Sequence, residues 1–182
     1  PLGAPLASGG PYFGFLTTKT AHLRQLPGRI VGRTADREGK TGYVLTLQAR
    51  EQHIRRSRAT SNLCTNQGLL PPAAAIHMAI LGPEGLRTVA LESHAKTMSL
   101  VEKLAAIDGV APLFSGPRLY EAALRLKRPV EEVLKALEAR GVLGGISLQS
   151  SYPGLGDALL VCATETKSDD DLQVYADAMQ AV

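Results

Sequence analysis

The sequence predicts a mixed α/β protein, and three observations support this class. Residues Gly42 to Gln48 alternate between apolar and polar side chains, as in a half-buried β-strand. Apolar residues recur at helical spacing between Leu86 and Ala106. The chain has 182 residues, 45% of them hydrophobic and 20% charged, which is an ordinary globular composition. This length fits one ordinary domain or two small ones with a real core.

The first third of the chain is predicted to contain a short helix and a hairpin. The helix is expected over residues 21–26, where a Pro-Gly pair ends it. The strands of the hairpin are expected within residues 29–48, on either side of the polar turn 36–40. An aromatic, strand-like run at 12–16 precedes both elements.

Two helices are predicted next, over residues 69–81 and 86–106. Pro71 and Pro72 conflict with a helix that runs straight through from Thr65, because proline is tolerated in a first turn and is damaging in the interior. The first helix therefore either begins near Pro71 or is kinked there. The segment from Gly82 to Gly85 is expected to stop the first helix and restart the second.

The last third is predicted to form a small α/β unit in the order β-β-α-β-α. Strands are expected at 110–114, 119–126 and 158–163, and helices at 129–140 and 169–181. Ser168 is the expected N-cap of the final helix, whose first turn is acidic. Residues 147–153 are expected to be irregular.

The net charge of +3 conceals an uneven distribution. Residues 19–58 hold ten Lys or Arg against three Asp or Glu, an excess of seven positive charges, and the rest of the chain carries an excess of four negative charges. The first third is therefore expected to meet something anionic. Nucleic acid is disfavoured because aromatic residues are not interleaved with the basic ones. A phosphate-bearing cofactor or an acidic protein explains the charge equally well.

Composition also argues against several other classes. No run of 18 apolar residues exists, so no transmembrane helix is expected, and the first residues lack the pattern of a signal peptide. Cys64 and Cys162 are far apart and lack partners at metal-ligand spacing, which argues against a disulfide framework and a zinc site. Each is expected to be a reduced, mostly buried thiol of a cytoplasmic protein.

The stretch from Arg50 to Asn66, REQHIRRSRATSNLCTN, is the strongest functional candidate. Its first half contains Arg50, His53, Arg55, Arg56 and Arg58, and small hydroxyl and amide side chains follow. Side chains of this second kind cap free backbone N–H groups, which together with a helix dipole favour a negative ligand. The alternative is that the arginines form a solvated face and the polar run only caps a helix.

The same stretch carries a family resemblance. Together with SGGPYFGFLTTK, LPGRIVGRTADREGKTGYVLTLQAR, LGPEGLR and LLVCATETK, it resembles the first, alpha-type subunit of glycine decarboxylase, the P-protein of the glycine cleavage system. The resemblance covers nearly the whole chain and corresponds to the C-terminal part of that subunit. It implies a fold similar to fold-type I transferases that use pyridoxal phosphate. On that analogy, residues 1–68 are the edge of the large domain, 69–107 are linking helices, and 108–182 are the small C-terminal α/β domain.

The resemblance also implies an activity and partners. The family decarboxylates glycine and passes the aminomethyl group to the lipoyl arm of the carrier H-protein. The lysine that binds pyridoxal phosphate is expected on a beta-type subunit, with which the alpha-type subunit forms a heterotetramer. This chain agrees in one respect, because its first lysine, Lys19, lies downstream of Gly9 and Gly10 rather than shortly before them. Lys19 is therefore expected at the surface.

Candidate site residues follow from the same resemblance. Thr60, Ser61 and Asn62 occupy the place where related enzymes reach the phosphate of a neighbouring subunit, and Gly9 and Gly10 allow close approach of a backbone to the cofactor. Arg50, His53, Arg55 and Arg56 are expected to contact the phosphate, the substrate carboxylate or the partner subunit. A contact of Arg50 with substrate or phosphate would make Arg50→Ala weaken activity more than assembly. No catalytic residue and no metal site is expected in this chain itself.

Two functions of different classes remain open. The first is a non-lysine subunit of a glycine-decarboxylating enzyme, catalytic within its complex and inactive alone. The second is a purely structural assembly module that supports a catalytic partner subunit. No nucleic acid or membrane partner is expected.

Overall fold

The computed structural model describes residues 2–3, 13–60 and 68–182. The chain divides into two compact units, Pro1–Ile80 and Leu81–Val182. Both helices and antiparallel sheets are present, so the predicted mixed α/β class is confirmed.

The first unit is built around a two-stranded antiparallel ribbon. A 3₁₀ helix, Thr20–Gln25, comes first, and strands β1 (Ile30–Ala35) and β2 (Thr41–Thr46) follow. The Asp36 carboxylate closes the turn between the strands by accepting hydrogen bonds from the amides of Glu38 (2.9 Å) and Lys40 (2.8 Å). The short helix and the hairpin predicted from the sequence are therefore confirmed.

Three short helical turns follow the ribbon. They are a 3₁₀ turn at Gln48–Arg50, the single-turn helix α1 at Gln52–Arg55 and a second 3₁₀ turn at Arg56–Arg58. Leu47 adopts a left-handed conformation (φ 52°, ψ 30°), which turns the chain out of β2 and into the first of these turns. The sequence did not predict helical turns here.

The long helix α2 spans Leu70–Ala105 and is broken at Gly82. Gly82 has φ 64° and ψ −178°, a conformation that glycine adopts at little cost. Because the helix begins at Leu70, Pro71 and Pro72 lie in its first turn, where their missing N–H groups have no helical partner to lose. Of the two alternatives left by the sequence, a start near Pro71 is therefore confirmed. The second part resumes at Pro83, slightly earlier than predicted.

The second unit contains a four-stranded antiparallel sheet in the order β3-β4-β6-β5. Its strands are β3 (Val110–Pro112), β4 (Glu121–Leu126), β5 (Ile146–Ser147) and β6 (Ala158–Cys162). Helix α3 (Val130–Glu138) connects β4 to β5, and helix α4 (Asp169–Gln180) follows β6. The sequence predicted every one of these elements except β5, whose two residues are too short to give an alternating pattern.

One face of this sheet carries the hydrophobic core. Alternate residues of β4 and β6 are buried, and the apolar faces of α3, α4 and the end of α2 pack on them. The apolar side chains with no measurable exposure are Leu104, Leu124, Val130, Leu137, Ala158 and Leu159. The second unit therefore has a complete core of its own.

Polar contacts fix the helices of the second unit to its loops. The buried Thr97 hydroxyl donates to the Ala163 carbonyl (2.9 Å), and Ser93 donates to the Glu165 carboxylate (3.0 Å). Ser168 and Asp171 form a capping box at the start of α4, which confirms the predicted N-cap. The Tyr175 hydroxyl donates to the Gly144 carbonyl, and burial raises the pKa of this tyrosine well above its usual range.

The expectation of a buried Cys162 is wrong. This residue ends β6 on the face of the sheet that lacks the helices, and it is exposed. Desolvation and the nearby Glu121 carboxylate raise the pKa of its thiol, which disfavours the reactive thiolate. Cys64 lies outside the described residues.

Candidate anion-binding site

Arg50 anchors the arginine-rich stretch to its own unit. Its guanidinium donates to two backbone carbonyls of the preceding loop, that of Leu26 and that of Gly28, the latter at 2.7 Å. The Arg50 carbonyl in turn accepts from the Thr60 amide at 3.4 Å. Arg50 thus joins the loop before β1 to the backbone of Thr60, which is the geometry of a positioning residue.

A nearly buried carboxylate lies beside this anchor. The side chains of Arg50 and Glu51 are 11% and 12% exposed, and Arg50 Nη2 lies 3.9 Å from Glu51 Oε1. The Nε atom of Arg50 and Oε1 of Glu51 are buried without a hydrogen-bond partner among the described residues. Burying a polar or charged atom without a hydrogen-bond partner costs free energy. The Arg50–Glu51 pair therefore depends on the surrounding backbone to hold the two side chains in place.

His53 lies next to the same carboxylate and remains largely exposed. Its Nδ1 is 3.7 Å from Glu51 Oε2, and its side chain is 55% exposed. The distance is too long for a hydrogen bond and allows an electrostatic contact when the imidazole is protonated. No hydrogen bond of the His53 side chain is recorded among the described residues. His53 can therefore turn toward a ligand or a partner without losing one.

The remaining arginines point outward. The side chains of Arg55, Arg56 and Arg58 are exposed, and none takes part in an ion pair among the described residues. Arg56 has φ 53° and ψ −124°, which is unusual for a residue with a side chain and marks local backbone strain. Three guanidinium groups within four residues, close to the Thr60 backbone, provide donors suited to phosphate or carboxylate.

The described chain brings together only part of the predicted site. Arg50, His53, Arg55, Arg56 and Thr60 belong to one continuous segment, and Arg50 is turned toward backbone carbonyls rather than outward. Ser61, Asn62, Gly9 and Gly10 lie outside the described residues. Their predicted contact with a cofactor stays a prediction.

The side-chain ammonium groups of Lys96, Lys103 and Lys127 donate hydrogen bonds to side-chain acceptors. Lys96 contacts the Asp169 carboxylate at 2.6 Å, and that hydrogen bond raises its pKa. Lys103 donates to Gln173, and Lys127 pairs with Asp108. A lysine that forms a Schiff base needs a neutral amine, which burial beside another cation favours and a carboxylate disfavours. Lys19 is exposed, as predicted.

The C-terminal unit contains a groove that was not predicted from the sequence. This groove of about 800 Å³ lies against β4 and β6 on the side of the sheet away from the core, and its apolar lining includes Phe114, Leu119, Tyr120, Tyr152 and Leu160. Arg118 also lines it and donates to the Phe114 carbonyl at 2.8 Å. The lining comes from two separate loops and two strands, so no local motif predicts the groove.

No helix among the described residues is long and apolar enough to cross a membrane. Within the same residues, no group of three or more His, Cys, Asp or Glu side chains is placed to hold a metal ion.

Comparison with known proteins identifies the family. The family model for the glycine cleavage system P-protein matches residues 1–179. The chain belongs to the glycine cleavage system P-protein family. Its relatives include the probable glycine dehydrogenase (decarboxylating) subunit 1 of Thioalkalivibrio sulfidiphilus, 62% identical over 181 residues, and that of Coxiella burnetii, 57% identical over 182 residues.

A solved P-protein has the same fold as this chain. The crystal structure of glycine decarboxylase (P-protein) of the glycine cleavage system, in inhibitor-bound form, superposes with a TM-score of 0.86 at 43% identity. The match covers 99% of this chain and 41% of that one, and the two relatives named above are covered over 40% and 41% of their length. The chain therefore spans about two fifths of the P-protein subunits it matches.

Proposed function

We propose that this chain is part of a subunit of the glycine-decarboxylating P-protein and works only together with a second, lysine-bearing subunit. The reaction converts glycine and a lipoylated carrier protein into an aminomethyl-lipoyl carrier protein and CO₂. The observation that carries the proposal is the match of the whole chain to proteins named subunit 1 of glycine dehydrogenase (decarboxylating). A subunit 1 implies a subunit 2.

The proposed cofactor is pyridoxal phosphate, which supplies an electron sink when glycine loses its carboxylate. The donors of the candidate site fit a phosphate-bearing group, because exposed guanidinium groups and small hydroxyl and amide side chains are the usual partners of phosphate. We assign the phosphate to the segment of Thr60, Ser61 and Asn62. Arg55 and Arg56 are the nearby cations available to the cofactor, the substrate carboxylate or the partner.

The position of the cofactor lysine on the partner is supported by the lysines of this chain. Lys96 is held protonated by a carboxylate, and Lys19 is exposed to solvent. The hydrogen bond to Asp169 stabilises the charged form of Lys96 and so disfavours the neutral amine that bonds to the cofactor aldehyde. Thr60 and the arginines bind and orient the cofactor or the substrate, and the proton transfers to the amine belong to the partner subunit.

The structural-module alternative accounts equally well for the exposed apolar side chains of the first unit. Because the chain spans about two fifths of the subunits it matches, either the rest of that subunit or a partner can cover them. The alternative differs from the main proposal in whether this chain touches the cofactor, and activity separates the two.

The test is release of CO₂ from glycine by the full-length protein that contains this chain, assayed alone and with the second subunit. We expect activity only with both subunits, no loss in Lys19→Ala, and a loss of at least tenfold when Thr60, Ser61 and Asn62 are all replaced by alanine. Co-sedimentation of the subunits checks that the triple variant still assembles. Full activity in an assembled triple variant would support the structural module, and activity of this subunit alone would contradict the proposal.

A further inference from the structure

We draw no further inference here: the strongest candidate, the apolar groove beside Tyr120 and Tyr152 on the side of the C-terminal sheet away from the core, carries none because nothing in the described part of the chain shows whether the rest of the same subunit, a partner or a ligand covers it.

Discussion

Arg50→Ala is expected to loosen the loop before β1 and to lower glycine decarboxylation by the reconstituted complex at least tenfold. The substitution removes both donors from the carbonyls of Leu26 and Gly28 and leaves the nearly buried Glu51 carboxylate with only the exposed His53 imidazole beside it among the recorded contacts. Removing one partner of a buried ion pair costs about 3 kcal/mol or more. Amide hydrogen exchange over residues 26–35 should accelerate about a hundredfold, which is the same free energy expressed as an opening equilibrium constant.

Arg50→Lys and Arg87→Ala are the controls for this prediction. Lysine keeps the charge beside Glu51, but its single ammonium lacks the planar fork that reaches two carbonyls, so an intermediate effect is expected. Arg87 lies at the surface, 4.0 Å from Glu84, and its loss should change local stability by no more than about 0.5 kcal/mol. A loss of activity in Arg50→Ala with unchanged exchange over residues 26–35 would instead place the guanidinium on the phosphate or the substrate.

Leu124→Ala is expected to lower the free energy of unfolding of the C-terminal unit by about 3 kcal/mol. Leu124 is completely buried in β4, a central strand, between the two pairing partners β3 and β6. Truncation removes apolar contacts and leaves a cavity that strands held on both sides cannot readily collapse around. The slowest-exchanging amides of β4 and β6, measured in the full-length protein, report this change.

Leu143→Ala is the matched control because Leu143 is 92% exposed in the same unit. Its loss should change the stability by less than about 0.5 kcal/mol. An equal effect of the two substitutions would mean that Leu143 is covered in the full-length protein and that the core described here is incomplete.

The C-terminal unit could be predicted well from the sequence because its signals are local. The strand 158–163 is a short, continuous apolar run, the helix 129–140 shows a clear helical period, and Ser168 with Asp171 forms a capping box within four residues. The short strand β5 was missed because its pairing with Leu159 and Leu160 of β6 is decided by tertiary contacts. Cys162 was expected to be buried, but it lies at the end of β6 on the face of the sheet that the helices leave uncovered. Which face the helices cover is decided by tertiary packing.

The candidate site was harder to predict, and Arg50 shows why. Its neighbours in sequence suggested an anion ligand, whereas its hydrogen bonds run to carbonyls 22 and 24 residues earlier in the chain. No periodic pattern encodes such a contact. The groove beside Tyr120 and Tyr152 escaped prediction for the same reason. The family, by contrast, could be recognised from contiguous motifs alone.

The visible absorbance of lysine-bound pyridoxal phosphate shows directly which of the two subunits carries the cofactor lysine. It is measured after gel filtration of the full-length protein that contains this chain, of the second subunit, and of both together. We expect no absorbance from this subunit alone and strong absorbance from the combined subunits. Absorbance from this subunit alone, abolished by Lys19→Ala, would instead place the cofactor lysine in this chain.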